Sequence, residues 1–198
     1  MNATEYDPRD LRAWRAEAQA EAVAYRLEAF LARRPAAFAD PGELRADVRD
    51  WMDSYLAGHH GSLILTGEIG TTKTWHLWKL NETLVRSGWA GQFRIATTYD
   101  VKLATDRPID QERLRRWREA DIYAIDDLGA RAVNDWTADA ISELIDNRWQ
   151  NRLPTLIATN LIGREIRDVL GDRASSRLGD GAIVAQFTGA DRRKAGRK

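Results

Sequence analysis

Lys73 and Thr74 close the run Gly67-Glu68-Ile69-Gly70-Thr71-Thr72-Lys73-Thr74, which follows the apolar Leu63-Ile64-Leu65 and leads into the helical spacing of Leu77, Leu80 and Leu84. A strand, a loop of small residues and a helix in that order can cradle phosphate. Small residues let backbone N–H groups surround the oxygens, a lysine reaches the β- and γ-phosphates, and a hydroxyl holds magnesium. Gly67, Gly70, Thr71 and Thr72 shape the loop, Lys73 and Thr74 fit the last two roles, and Trp75 follows at the helix start. Thr72 stands where such loops carry glycine before the lysine, a branched side chain at the point of closest backbone approach. Displacing one phosphate contact there costs on the order of 1–3 kcal/mol. A turn that merely links a strand to a helix reads the same way, so the loop needs partners elsewhere in the chain.

Such partners are present. Ala120 to Gly129 reads as an apolar strand ending in the adjacent carboxylates Asp126 and Asp127 and a glycine. Strand ends on one edge of a parallel sheet converge, so this pair can face Lys73 and Thr74. Asp126 would organise a magnesium shell with Thr74, and Asp127 would polarise an attacking water. The alternative is a turn-capping aspartate pair, but two uncompensated carboxylates at a buried edge are costly, which favours the metal. Pro154 to Leu161 is another strand with a polar end, where Asn160 can reach the water or γ-phosphate; Thr159-Asn160 also suits an ordinary turn. Gly171 to Leu178 sets Arg173 and Arg177 one helical turn apart on one face, the pattern of a solvated face or an intrachain ion pair when it stands alone. Arg131, Asn134 and Trp136 place an aromatic beside a basic residue, able to stack on a base and attract phosphate, though the plainer reading is that Trp136 merely packs at the start of its helix. Arg113, Arg115, Arg116 and Arg118 around Trp117 form a second basic cluster, either a solvated helix face or a track for a DNA backbone.

The elements that must position these residues are legible from periodicity. Leu11, Trp14, Ala18, Ala22, Leu27, Phe30 and Leu31 predict an amphipathic helix over 8–34, and Leu44, Val48, Trp51, Met52, Tyr55 and Leu56 a second that stops before Gly58. Short apolar runs then predict strands at 62–66, 92–97, 122–125, 155–159 and 182–187, alternating with helices, one of which carries Trp136, Ile141, Leu144, Ile145 and Trp149. The expected fold is α/β, a five-stranded parallel sheet between helices, with a helical extension over 1–57, the main domain over 58–193 and a basic tail over 194–198. Of 198 residues 43% are hydrophobic and 30% charged, enough for one such domain plus a short extension. Basic and acidic residues balance at 30 each, so affinity for nucleic acid must come from local patches. The absence of cysteine excludes disulfides, thiolate zinc sites and cysteine nucleophiles, and His59, His60 and His76 lack the spacing of a catalytic metal site. No window approaches the ~20 apolar residues of a membrane span, and the first residues lack a signal pattern, so a cytoplasmic protein without membrane contact is expected.

Taken together, the loop at 67–74, Ile-Asp-Asp-Leu-Gly at 125–129, Thr-Asn at 159–160, Gly-x-Arg-x-x-x-Arg-Leu at 171–178 and Phe-x-Gly-x-x-x-Arg at 187–193 resemble the AAA+ P-loop module of the DnaC/DnaI/IstB ATPases over about residues 60 to 193. The resemblance implies an ATPase using ATP and magnesium, with Lys73 and Thr74 as Walker A, Asp126 and Asp127 as Walker B and Asn160 as sensor 1. It also implies that Arg177 is an arginine finger acting in the neighbouring subunit of a homo-oligomer and that Arg193 is a sensor 2 residue contacting nucleotide. By the same resemblance the partners are a replicative, DnaB-like helicase bound through the N-terminal helices and single-stranded DNA in the central channel, met by the loop of Arg131, Asn134 and Trp136. An IstB-type transposition helper acting on duplex DNA is the nearest alternative, and an adaptor that has lost hydrolysis through Thr72 is another. The chain departs from the pattern at Thr72 and in lacking the zinc-ligand cysteines that part of the family carries in its N-terminal region.

Overall fold

The computed structural model of the chain describes residues 8–129 and 134–188. Helix α1 (Pro8–Leu31), a 3-10 turn (Ala36–Phe38) and α2 (Ala46–Leu56) precede β1 (Leu63–Gly67). There follow α3 (Lys73–Arg86), β2 (Phe93–Thr97), α4 (Thr98–Thr105), α5 (Gln111–Glu119), β3 (Ile122–Leu128), α6 (Asp135–Gln150), β4 (Thr155–Thr159), α7 (Gly163–Gly179) and β5 (Ile183–Phe187). The five strands form one parallel sheet in the order β2-β3-β4-β1-β5. The α/β class and the five expected strands are therefore present.

Period-two alternation sends each central strand into two cores. Leu63, Leu65, Ile122, Ala124, Leu156 and Ala158 pack under α2 and α3 with Trp51, Leu77 and Leu80. Tyr123, Ile125 and Ile157 face the other way, against Ile141, Leu144 and Ile145 of α6 and Ile166 and Leu170 of α7. The strand expected to stop at Ile125 continues to Leu128, because the β3–β4 register shifts between Ile125 and Leu128 and Asp127 takes φ 56°, absorbing the extra residue as a bulge.

Two faces differ from the periodicity. On α6, Trp136 and Trp149 are exposed, and Arg148 is the side chain that points inward, fully buried. Its Nη1 donates to the carbonyls of Trp117 (2.7 Å), Arg118 (3.1 Å) and Ala120 (2.8 Å), its Nη2 to that of Pro154 (2.7 Å) and its Nε to the Thr155 hydroxyl (3.3 Å). The guanidinium lies over the Tyr123 ring at 5.6 Å. Burial pulls its pKa down to about 10, so it stays cationic, and the carbonyls it caps include the last turn of α5, where a positive charge belongs. On α1, Trp14 and Leu31 are exposed while Phe30 is buried and packs on Trp78 at 6.1 Å. Arg34 reaches buried Glu82 of α3 at 2.8 Å, and Lys79 and Arg86 reach the same carboxylate. Burial alone would raise the Glu82 pKa; the Arg86 hydrogen bond and the charges of Lys79 and Arg86 outweigh it and hold the group below its ordinary value.

Replacing Arg148 by leucine orphans the carbonyls of Trp117, Ala120 and Pro154 in a dry interior. Several unsatisfied groups at about 1–3 kcal/mol each, partly relieved by local relaxation, predict a loss of about 3–5 kcal/mol in urea unfolding. A loss under about 1 kcal/mol would mean that water reaches those carbonyls and that the guanidinium is dispensable.

Candidate functional site

The loops after β1, β3 and β4 leave the sheet at one edge, because the strands are parallel and Thr66 pairs with Thr159 and Leu128 with Thr159. The loop after β1 begins at Gly67, where glycine is obligatory: its φ is 139° and a Cβ there would sit 1.9 Å from the Phe187 carbonyl of β5. Gly70 is also left-handed, and the Thr71 hydroxyl donates to the Glu68 carbonyl at 2.7 Å, closing the loop on itself. Thr72, the residue in the glycine position, adopts φ 71° and ψ 14°, so the turn persists in a left-handed conformation that glycine would take freely. For a β-branched residue this costs roughly 1–2 kcal/mol.

Buried Lys73 opens α3, and its ammonium donates to the carbonyls of Gly67 and Glu68, each at 2.7 Å, and to Oδ1 of Asn160 at 2.9 Å. The Thr74 hydroxyl donates to Oδ1 of Asp126 at 3.0 Å. The N-cap residue of α3, Thr72, makes no side-chain capping bond and the first turn carries no acid, so among the described residues positive backbone ends face the loop. In the sheet β4 lies between β1 and β3, so the loop and the carboxylates come from strands that are not adjacent. Asn160, at the end of that intervening strand, bonds the lysine directly.

Asp126 is buried, and its pKa is pushed up to about 6 by that burial and by the neighbouring Asp127, against the Thr74 hydrogen bond and the charge of Lys73. A carboxylate so desolvated beside a hydroxyl is a group that gains by meeting a cation. One carboxylate and one hydroxyl suit magnesium, which keeps several waters and takes its remaining ligands from phosphate. Asp127 is exposed at the same edge, its left-handed peptide held by the Thr98 hydroxyl, which donates to the Asp127 carbonyl at 3.3 Å. Thr98 was missed from sequence. The available signal was the box of Thr97 and Asp100, whose reciprocal hydrogen bonds start α4 directly after β2.

The other candidates lie apart or outside the described residues. The Trp75 indole donates to the Asp40 carbonyl at 3.1 Å, so it faces the segment before α2. Arg177 pairs with Asp146 and its guanidinium lies 4.9 Å from the Trp149 ring; Arg173 shares the same aspartate. The two arginines thus do share a face, and within this chain both are ion-paired. Asn134 caps α6 by accepting from the Thr137 N–H at 2.9 Å, while exposed Trp136 donates to the Thr105 carbonyl at 3.3 Å. Arg131 and Arg193 fall outside the described residues. In the α5 cluster, Arg113, Arg115, Arg116 and Arg118 pair with Asp110, Glu112, Glu119 and Glu143, which cancels most of the field a DNA backbone would meet.

No protein-family model matches the chain. A curated relative, the replicative helicase loader DnaI of Bacillus subtilis (strain 168), is 24% identical over 134 residues, 65% of this chain and 43% of that protein, so the chain spans less than half of the relative's length. Among solved structures, the DnaC helicase loader superposes with a TM-score of 0.63 at 19% identity, covering 76% of this chain and 96% of that one. The replication initiator DnaA bound to AMPPCP and single-stranded DNA superposes at 0.61 with 16% identity, covering 76% and 48%. The AAA+ P-loop fold and the likeness to helicase loaders read from the motif order both stand on these matches.

Two expectations follow from the site. Because the folded Asp126 pKa lies above its ordinary value of 3.8, folding binds a proton between about pH 4 and 6; this stabilisation is full below pH 4 and lost as pH rises through 6. In chelator, Asp126→Asn should therefore be more stable than the parent at pH 7.5, by up to about 2–3 kcal/mol, with the gap closing toward pH 4. A gap independent of pH would rule out a desolvated carboxylate. Thr72→Gly should relieve the left-handed strain, part of it offset by the freer unfolded chain, and should tighten binding of a fluorescent ATP analogue. Equal or weaker binding would show a loop adapted around threonine.

Proposed function

We propose that this AAA+ module, similar to the DnaC and DnaI helicase loaders, is an ATP-dependent loader or remodeller of a replicative helicase on single-stranded DNA, working in the cytoplasm as a homo-oligomer. The observation that carries the reading is the meeting of Lys73 with Asn160 and of Thr74 with Asp126 at one sheet edge, above an uncapped helix N-terminus. Lys73 would exchange the Gly67 and Glu68 carbonyls for the β- and γ-phosphate oxygens. Thr74 and Asp126 would hold magnesium, whose charge offsets that developing on the transferred phosphoryl group. Asp127 would orient the attacking water from the bulge, and Asn160 would sit between lysine and water. Gly67, Gly70, Thr71 and Thr72 would line the phosphates, with Arg193 as a further nucleotide contact. Arg131, Asn134 and Trp136 would meet DNA, Trp136 by stacking.

Arg177 supports a shared site. It lies in a recess with Ser62 and Thr155, at the ends of β1 and β4 opposite the phosphate loop, where it cannot reach its own nucleotide. An arginine finger supplied by a neighbour is worth ~10³–10⁵ in rate. Lys73→Ala should abolish binding of a fluorescent ATP analogue, whereas Arg177→Ala should bind normally and fail to hydrolyse. Mixing the two inactive proteins should recover part of the turnover, since one interface joins an intact pocket to an intact arginine. Undiminished binding by Lys73→Ala would sink the site; no recovery from oligomers confirmed as mixed by sedimentation would sink the action in trans.

A further inference from the structure

The recess that holds Arg177 contains a second guanidinium to which the site described so far gives no role. It measures about 330 Å³ and is lined by His59, Ser62, Arg152, Thr155 and Arg177. The two cations differ in company. Arg177 is held by Asp146 and by the Trp149 ring, and Asp180, an acid on the rim, accepts from the Trp149 indole at 2.8 Å. Arg152 is exposed, and among the described residues no side chain pairs with it.

The backbone of Arg152 is also the wrong conformation for an arginine. It follows the C-cap of α6 with φ 54°, its N–H donates to the Trp149 carbonyl at 3.1 Å, and the Leu153 N–H donates to the Arg148 carbonyl at 2.9 Å. That pair of bonds defines the helix ending whose left-handed residue is ordinarily glycine. An arginine there carries a backbone strain that glycine would not. No ion pair or side-chain hydrogen bond among the described residues offsets it, and a local rule broken without such a return points to a use of the side chain.

We propose that Arg152 is a second cation acting in trans, set beside Arg177 and directed at the phosphates of a nucleotide bound to a second copy of this chain. The inference rests on the reading in which Arg177 crosses the subunit boundary. Geometry excludes the chain's own nucleotide, because the five residues of β1 at ~3.3 Å each put about 15 Å between the recess and the phosphate loop. Size and charge favour the same occupant: the volume is at the lower end for a small-molecule site, so a phosphate group brought by a docking surface suits it better than a free nucleotide. A planar guanidinium with several donors matches phosphate oxygens.

The test exploits the preference of this position for glycine. Arg152→Gly should melt at or above the parent temperature. Arg177→Ala protein, with its phosphate loop intact, is then mixed with one of two edge donors, Lys73→Ala or Lys73→Ala/Arg152→Gly, and ATP turnover is measured. The first donor should restore turnover, the second roughly tenfold to a hundredfold less, as expected for one lost charge-assisted contact. A third donor, Lys73→Ala/Arg152→Lys, should recover most of the difference, which a merely structural role would not produce. Equal restoration by the first two donors overturns the role of Arg152 and leaves the crossing of Arg177 intact. No restoration by any donor, in oligomers confirmed as mixed, overturns both. A lowered melting temperature for Arg152→Gly assigns the residue to the fold and overturns the proposal as well.

Discussion

The buried guanidinium of Arg148 holds together the end of the sheet from which every site strand starts. It spends its donors on the end of α5, on Pro154 and on Thr155, and so ties the entry to β3 and the entry to β4 to α6. Both strands are parallel and rigid once paired, and fixing their starts fixes where they end. The carbonyls it satisfies could not be left dry, and a hydrophobic substitute could not serve them. No carboxylate is needed, because carbonyl dipoles and the Tyr123 face supply the negative potential.

At the other end of the same strands the structure tolerates what it avoids elsewhere. Among the described residues, three other than glycine are left-handed: Thr72 and Asp127 stand in the loop after β1 and at the end of β3, and Arg152 stands in the opposite recess. Two of the three thus flank one site. A desolvated carboxylate, Asp126, is set between them, its burial offset in part by the Thr74 hydroxyl, the Asp127 backbone N–H and the charge of Lys73. Strain and desolvation persist where the surrounding packing over-determines the backbone, which here is the pairing of β1 with β4 and β5 and of β3 with β2 and β4.

The strands and the order of the site loops were legible because short apolar runs bounded by turn residues leave little choice of element. Strand order was not, since nothing in the spacing of Leu63, Ile122 and Leu156 says that β4 lies between β1 and β3. Within α6, correctly expected as a helix with Ile141, Leu144 and Ile145 inward, hydropathy misplaced the two ends of its face: it counts Trp136 and Trp149 as apolar and Arg148 as polar, and cannot register a guanidinium whose donors are met inside. At Thr72 the residue type revealed a departure from the loop pattern but not its form, because a left-handed threonine depends on the closure made by Thr71 and Glu68. Arg173 and Arg177 were correctly set on one face by their spacing, while their common partner Asp146 comes from another helix, beyond the reach of local periodicity.

Helix α3 belongs to both the site and the N-terminal helices. Its first residues are Lys73 and Thr74; along its length Trp78 packs on Phe30 and Phe38, Glu82 gathers Arg34, and just past its end Gly88 accepts from Arg26 at 3.3 Å. The Glu82 group differs in kind from the ion pairs of α5. Those are exposed on both sides and each contributes little, whereas Glu82 is almost fully buried with three cations around it, so removing Arg34 would leave a desolvated charge less well paired. Fourteen helical residues make a rod of about 21 Å that does not bend within a turn. A force applied to α1, whose outer face carries exposed Trp14 and Tyr25, is therefore borne by the same rod that opens with Lys73 and Thr74.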